Sequence, residues 1–198
     1  MNTKTAASTA HAPHVVRIIG GRWKRTPLPV SHKPGLRPTP SRVRETLFNW
    51  LGQDLSGWRC CDVFAGSGAL GLEAASRGAA HVSLVEQDAA LVANLQRLCT
   101  QLKASGVSVQ RGDGVAVLRT LNALDVVFID PPFGDGPIVV EQALRAAVQA
   151  ITPEGWVYLE SPQPWGVEAL APLGLVPHKQ GRAGAVHFTL LAKAPALG

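Results

Sequence analysis

The chain is poor in most features that would assign it at a glance. It has no apolar run near the roughly 18 residues that a membrane-spanning helix needs. Its opening stretch, MNTKTAASTAHAPH, lacks the apolar segment of a secretory leader. That stretch is small, polar and free of acids, so residues 1–16 read as a disordered tail. Cysteine is scarce. Cys60 and Cys61 are neighbours and Cys99 stands alone, a spacing that suits neither a metal site nor a redox pair. They read as reduced core residues of a cytoplasmic protein. The histidines are scattered, none at helical ligand spacing from another His or Cys, so no metal is expected. No nucleophile elbow or paired cysteines offer a covalent intermediate. There are no internal repeats and no low-complexity blocks.

Acid is also short, but only locally. Residues 1–60 hold ten Lys and Arg against Glu45 and Asp54, whereas residues 61–198 hold nine against twelve acids. The net charge of +5 therefore comes from the first third of the chain. Such asymmetry points to a nucleic acid or an anionic membrane as the partner of that third.

What is present is a core and a rhythm. With 198 residues and 46% apolar content, one sizeable packed domain is expected. From residue 59 strand-like and helix-like segments alternate. The strand-like segments are RCCDVF (59–64), HVSLVE (81–86), VSVQRG (107–112), DVVFID (125–130) and GWVYLES (155–161). The helix-like ones span 69–78, 88–104, 114–121 and 138–150, the first closing on Gly78. Strands this apolar, separated by helices, predict a parallel sheet covered on both faces. The tail LVPHKQGRAGAVHFTLLAK predicts an antiparallel hairpin on the sheet edge, making seven strands. Before residue 59 the pattern changes. RIIGGRWKRTPLPV (17–30) reads as a basic hairpin with a Gly-Gly turn, followed by a loop, HKPGLRP. A helix then starts with Thr39 as N-cap and Pro40 in its first turn. It should pack through Val43, Leu47, Trp50 and Leu51, with Arg42, Arg44 and Glu45 pointing elsewhere. The expected division is thus a tail (1–16), a basic hairpin and helix (17–58), and an α/β domain (59–198).

Two motifs carry chemistry. In DVFAGSGALG (62–71), Gly66, Gly68 and Gly71 form G-x-G-x-x-G where a strand runs into a helix. Glu86 ends the next strand, twenty residues past Gly66, where an acid can bind ribose hydroxyls. That spacing alone suits a dinucleotide. But Asp62 sits where a pyrophosphate would lie and would repel it; an ammonium or sulfonium would be welcome there. Asp113, in GDG, ends the third strand, where it can accept from an adenine amine. Three acids around one glycine loop suit S-adenosylmethionine, which has ribose, adenine and a cationic tail but no phosphate. The second motif is FIDPPFGDG (128–136). Two prolines end the strand and hold a rigid, extended piece beyond it. Asp130 and a carbonyl of the Pro131–Pro132 segment can accept from an exocyclic base amine, drawing its delocalised lone pair toward a methyl donor. Phe133 can stack on that base once it has flipped out.

Together, D-V-F-A-G-S-G, Glu86 and D-P-P-F resemble a class I S-adenosylmethionine-dependent amino-methyltransferase, of the kind that acts on adenine N6, cytosine N4 or guanine N2. RIIGGRWKRTPLPV, GLRPTPSRVRETLFNWL, DVFAGSGALGLEAASRGA and HKQGRAGAVHF further resemble the RsmD family, whose members methylate a guanine N2 of 16S ribosomal RNA. The resemblance spans roughly residues 17–190. It implies a Rossmann-like fold with a small N-terminal hairpin and helix. It also implies S-adenosylmethionine held by Asp62, Phe64, Gly66, Ser67, Gly68, Glu86 and Asp113, with Arg37 and Thr39 folding over it or reaching RNA. Asp130, Pro131, Pro132 and Phe133 would form the catalytic loop. Arg22, Trp23, Lys24, Arg25 and Arg42 would meet RNA, as part of a small ribosomal subunit or an assembly intermediate. No surplus apolar helix face is evident, so a monomer is expected. Three other readings remain open: a DNA amino-methyltransferase sharing D-P-P-F, an NAD-dependent oxidoreductase that leaves D-P-P-F idle, and an RNA-binding module that leaves the acids idle.

Overall fold

A computed structural model describes residues 16–28, 30, 39–132, 134 and 136–195. Residues 1–15 of the expected tail, the whole loop HKPGLRP with Arg37, and Phe133 lie outside the described residues, while Val16, the tail's last residue, is a buried residue of the first strand. The chain folds as a three-layer α/β sandwich on a seven-stranded sheet. A short antiparallel pair comes first, β1 (Val16–Arg17) with β2 (Pro27–Leu28), then helix α1 (Ser41–Trp50). The sheet alternates strands and helices: β3 (Arg59–Asp62), α2 (Gly71–Ser76), β4 (His81–Glu86), α3 (Ala89–Gln101), β5 (Val107–Arg111), α4 (Gly114–Leu118), β6 (Leu124–Ile129), α5 (Gly136–Ala150) and β7 (Ile151–Ser161). A short helix α6 (Val167–Leu170) with a 3-10 turn follows, then the hairpin β8 (Leu175–Ala183) and β9 (Val186–Lys193).

The strand order is β5-β4-β3-β6-β7-β9-β8. The first five strands are parallel, and β9 runs antiparallel to β7. The order reverses between β3 and β6, the switch point at which open α/β sheets bind ligands beyond their carboxyl ends. Period-two alternation sends neighbouring side chains to opposite faces. Cys60, Val126, Phe128 and Tyr158 join one apolar cluster with the hairpin, α1, α2 and α3. Cys61, Val127, Ile129 and Leu159 join the other, with α4 and α5. The adjacent cysteines divide between the two faces as expected, and both are free and buried.

Several expectations need correction. The hairpin holds only two residues per strand, because Gly20 to Arg25 form a wide turn. Thr39 does not cap α1: the helix begins at Ser41, with Pro40 as its extended N-cap residue, and the Thr39 side chain turns toward β6. Arg44 does not point to solvent; it is 1% exposed, among the largest buried side chains. Strand β7 starts at Ile151, four residues early, through an irregular pairing opposite Leu124. Helix α5 starts two residues early, at Gly136. The short helix and 3-10 turn at Val167 to Leu173 had no periodic signal.

Arg44 is buried because it has a partner. Glu73 of α2 is fully buried, and its carboxylate accepts from the backbone N–H groups of Ile19 (2.7 Å) and Gly20 (2.8 Å). It also takes Arg77 Nε at 2.8 Å and Arg44 Nη1 at 3.4 Å. Burial lowers the Arg44 pKa while Glu73 and other acids oppose it, and so high a starting value leaves the guanidinium charged. Ser76 completes the joint, accepting from Trp23 N–H at 2.9 Å and donating to the Gly20 carbonyl at 2.6 Å. A Cβ at Gly21 would run into the Ser76 backbone, and its φ of 71° is left-handed, so the turn sits this close only with glycine. The basic hairpin is thereby fixed to the helix that follows the glycine loop.

Candidate active site

Two cavities meet at Asp130, Pro131 and Pro132. The larger, about 380 Å³, lies beyond the carboxyl ends of β3, β4, β5 and β6. Asp62, Phe64, Gly66, Ser67, Glu86, Asp113 and Thr39 all line it, so the sequence-predicted residues from three strand ends and the segment before α1 converge. Gly68 does not line it. Gly68, at a φ of 79°, lies against Leu72 and Leu95 and shapes the loop. A Cβ at Gly71 would collide with Leu84 and Asp62, so this glycine lets α2 approach the sheet.

The donors and acceptors of this cavity can be followed singly. The loop N–H groups are largely committed: Ala65 donates to the Val85 carbonyl, Gly66 to Glu86 Oε2, Gly68 to the Ala65 carbonyl and Gly71 to Asp62 Oδ2. A pyrophosphate would need such donors free and would face the Asp62 carboxylate. Asp62 is 1% exposed, and its Oδ1 has no hydrogen-bond partner among the described residues. Burial pushes its carboxyl up to about 7, against the Gly71 N–H, which pulls it down. An orphaned buried carboxylate oxygen in a cavity fits a cationic ligand group. Glu86 is held by the N–H groups of Gly66 and Asp88, both at 2.9 Å. Asp113 caps α4 through Oδ1, which accepts from Ala116 N–H, and lines the cavity at the strand end. This donor set suits S-adenosylmethionine: acceptors for ammonium, ribose and amine, and no built cradle for phosphate.

The second cavity, about 200 Å³, holds a residue that sequence reasoning missed. Phe128 pairs with Tyr158 and Ile129 with Leu159, so the next residues, Asp130 and Glu160, come side by side on one face of the sheet. Glu160 is 5% exposed, and Tyr158 donates its hydroxyl to Glu160 Oε1 at 2.8 Å. Thr39 donates to Asp130 Oδ2 at 3.1 Å. Burial and the Glu160 charge push the Asp130 carboxyl well above its usual range, with Thr39 opposing. Burial likewise raises Glu160, against hydrogen bonds from Tyr158 and Thr39 and the nearby Arg44. The available signal was a polar residue two places after a buried tyrosine, at the carboxyl end of the strand beside the D-P-P-F strand.

The residues expected to meet RNA are mostly exposed. Arg22, Lys24 and Arg25 are exposed on the turn, and Arg42 is exposed on α1. Trp23 is half-buried against the core, with the Arg22 guanidinium 4.1 Å from its ring centroid, so less of the ring is open than the sequence suggested. Among the described residues no group of His, Cys, Asp and Glu could hold a metal, and no helix is long and apolar enough to cross a membrane.

Comparison with known proteins agrees with this geometry. The model of the family described as conserved hypothetical protein 95 matches residues 16–192. The chain is 40% identical over 182 residues to the Ribosomal RNA small subunit methyltransferase D of Escherichia coli, covering 88% of each chain. It is 40% identical over 160 residues to the protein of that name in Haemophilus influenzae, covering 77% of this chain and 82% of the other. The solved structure of yhhF from Escherichia coli superposes with a TM-score of 0.77 at 36% identity, over 91% of this chain and 98% of that one. A precorrin-6y C5,15-methyltransferase from Geobacter metallireducens shares the fold alone, with a TM-score of 0.66 at 18% identity over 84% of this chain and 93% of the other.

Proposed function

The chain belongs to the RsmD family of methyltransferases, and from that footing we propose that it transfers a methyl group from S-adenosylmethionine to the exocyclic N2 of a guanine in small-subunit ribosomal RNA. The observation that carries this reading is the meeting of two cavities at Asp130, one lined by Asp62, Glu86 and Asp113 and the other, of about 200 Å³, lined by Glu160 and the proline segment. S-adenosylmethionine, when bound, supplies an electrophilic methyl on a sulfonium. Asp62 takes the ammonium of its tail, Glu86 the ribose hydroxyls and Asp113 the adenine amine. Asp130 and a carbonyl of the proline segment accept the two N–H bonds of the target amine. That localises the amine lone pair toward the methyl and holds it in place, which is where pre-organised acceptors gain most. Asp130 need not be a strong base, because the amine becomes acidic only as it is methylated. The exposed cations of the hairpin and of α1 hold the RNA by its phosphates.

The test is transfer of labelled methyl to small subunits and to total RNA from cells lacking this gene, with the product nucleoside identified by mass spectrometry. N2-methylguanosine in small-subunit RNA is expected. N6-methyladenosine, N4-methylcytidine or labelled DNA would keep the cofactor site and overturn the substrate.

A further inference from the structure

The second cavity contains a carboxylate that the transfer step does not use. Its walls are mostly apolar, from Pro131, Pro132, Pro137, Val140 and Trp165, and among the described residues Glu160 is its one buried acid, beside the half-buried Asp130. A buried carboxylate persists only where something repays its desolvation. Tyr158 repays part, by one hydrogen bond to Oε1, and Thr39 and the nearby Arg44 repay more, without filling the four acceptor sites of a carboxylate. The Tyr158 bond also fixes which way the carboxylate faces, since Tyr158 is itself locked edge-on against Phe128 at 6.4 Å. Glu160 thus stands beside Asp130, rigid, with acceptor capacity left.

A pair of adjacent acceptors reads a particular edge of a base. Guanine presents two kinds of donor side by side, the N2 amine and N1–H. Adenine and cytosine place a ring nitrogen acceptor beside their exocyclic amine, and a carboxylate there would be repelled. We infer that Glu160 is a specificity residue: it accepts the guanine N1–H while Asp130 accepts from the N2 amine, so that the pair selects guanine and excludes bases whose amine adjoins an acceptor. This inference rests on the guanine reading above and names how the site enforces it. Tyr158 acts as the positioning residue behind Glu160.

The test replaces the target guanosine with 2-aminopurine ribonucleoside, which keeps the N2 amine and turns N1 into an acceptor. Small subunits are reconstituted with RNA carrying either base at the methylated position, and kcat/KM is measured for wild type, Glu160→Gln and Glu160→Ala. Wild type should prefer guanosine by at least about 100-fold, since a site built for a donor rejects an analogue without it. Glu160→Gln, whose amide can donate to the ring nitrogen, should narrow that preference to within about tenfold. Glu160→Ala should narrow it too, by loss on guanosine. Each ratio is taken within one preparation, so it is independent of the folded fraction. An unchanged ratio in both variants, or a wild type that uses the two bases equally, would overturn the inference while leaving guanine N2 as the target. Methyl transfer by wild type to adenine or cytosine instead would overturn the guanine reading, and this inference with it.

Discussion

The Glu73 carboxylate can be removed to ask whether the basic hairpin is truly anchored to the glycine-loop helix. Glu73→Ala strips the acceptor from two backbone N–H groups, Ile19 and Gly20, and the counter-charge from Arg44 and Arg77. Arg44 is the costlier orphan, being 1% exposed with its Nε already unpartnered among the described residues. Breaking one side of a buried pair costs about 3–5 kcal/mol. We take about 4 kcal/mol, a large share of the roughly 5–15 kcal/mol that holds a domain together. For a chain of this size the melting temperature should fall by about 8–16 °C. Arg44→Met in the same background removes the stranded charge, so the double variant should lose less than the sum of the singles, by at least about 1 kcal/mol. Thermal melts give the cycle, and amide exchange at Ile19 and Gly20 reports the anchor directly. A loss under about 3 °C with those two amides still protected would refute the anchoring argument; additivity within about 0.5 kcal/mol would refute the claim that Arg44 is held by Glu73.

Asp130→Ala should cut kcat by about 10²- to 10³-fold and Asp130→Asn by about tenfold, with cofactor affinity by calorimetry nearly unchanged; full turnover in the alanine variant would end the acceptor role. Asp62, pushed up to about 7 by burial, holds a proton in the folded chain that the unfolded chain has released. Its contribution to stability is therefore lost as pH rises from about 4 to about 7, and urea melts without ligand should show Asp62→Asn gaining on wild type across that window by as much as about 4 kcal/mol. Parallel curves would show that Asp62 carries no such penalty. Charge reversal at Arg22, Lys24 and Arg25 should weaken RNA binding and flatten the slope of log K against log salt by about two units; an unchanged slope would move the footprint off the hairpin.

Much of this architecture could be read in the residues, because parallel strands are apolar throughout and their ends are marked. Asp62, Glu86 and Asp130 each close a largely apolar run and Asp113 follows the more polar edge strand β5, and each lines the larger cavity. What the residues hid was pairing across distance. Arg44 reads as a surface residue because its helix neighbours Arg42 and Glu45 are exposed, and nothing local says that Glu73 waits 29 positions on. Thr39 before Pro40 reads as a cap because the local signature is a cap signature; a partner 91 positions away takes its hydroxyl. Glu160 was invisible for the same reason. Its importance comes from strand register, which sets it beside Asp130, and register is fixed by the whole sheet.

The three raised carboxylates of the site, Asp62, Asp130 and Glu160, stand at the carboxyl ends of three neighbouring strands, β3, β6 and β7. Each charge makes the next harder to ionise: Glu160 and Asp62 both raise Asp130. An acidic row of this kind destabilises the empty site, and both proposed ligands relieve it in kind. A cationic tail at Asp62 removes one repulsion felt by Asp130, and base N–H groups at Asp130 and Glu160 satisfy the ionised forms. Cofactor and base thus act on one set of coupled charges, and linkage requires that each favour the other. On the proposed reading, the cost borne by the ligand-free site would favour a cation on one side of Asp130 and a pair of donors on the other.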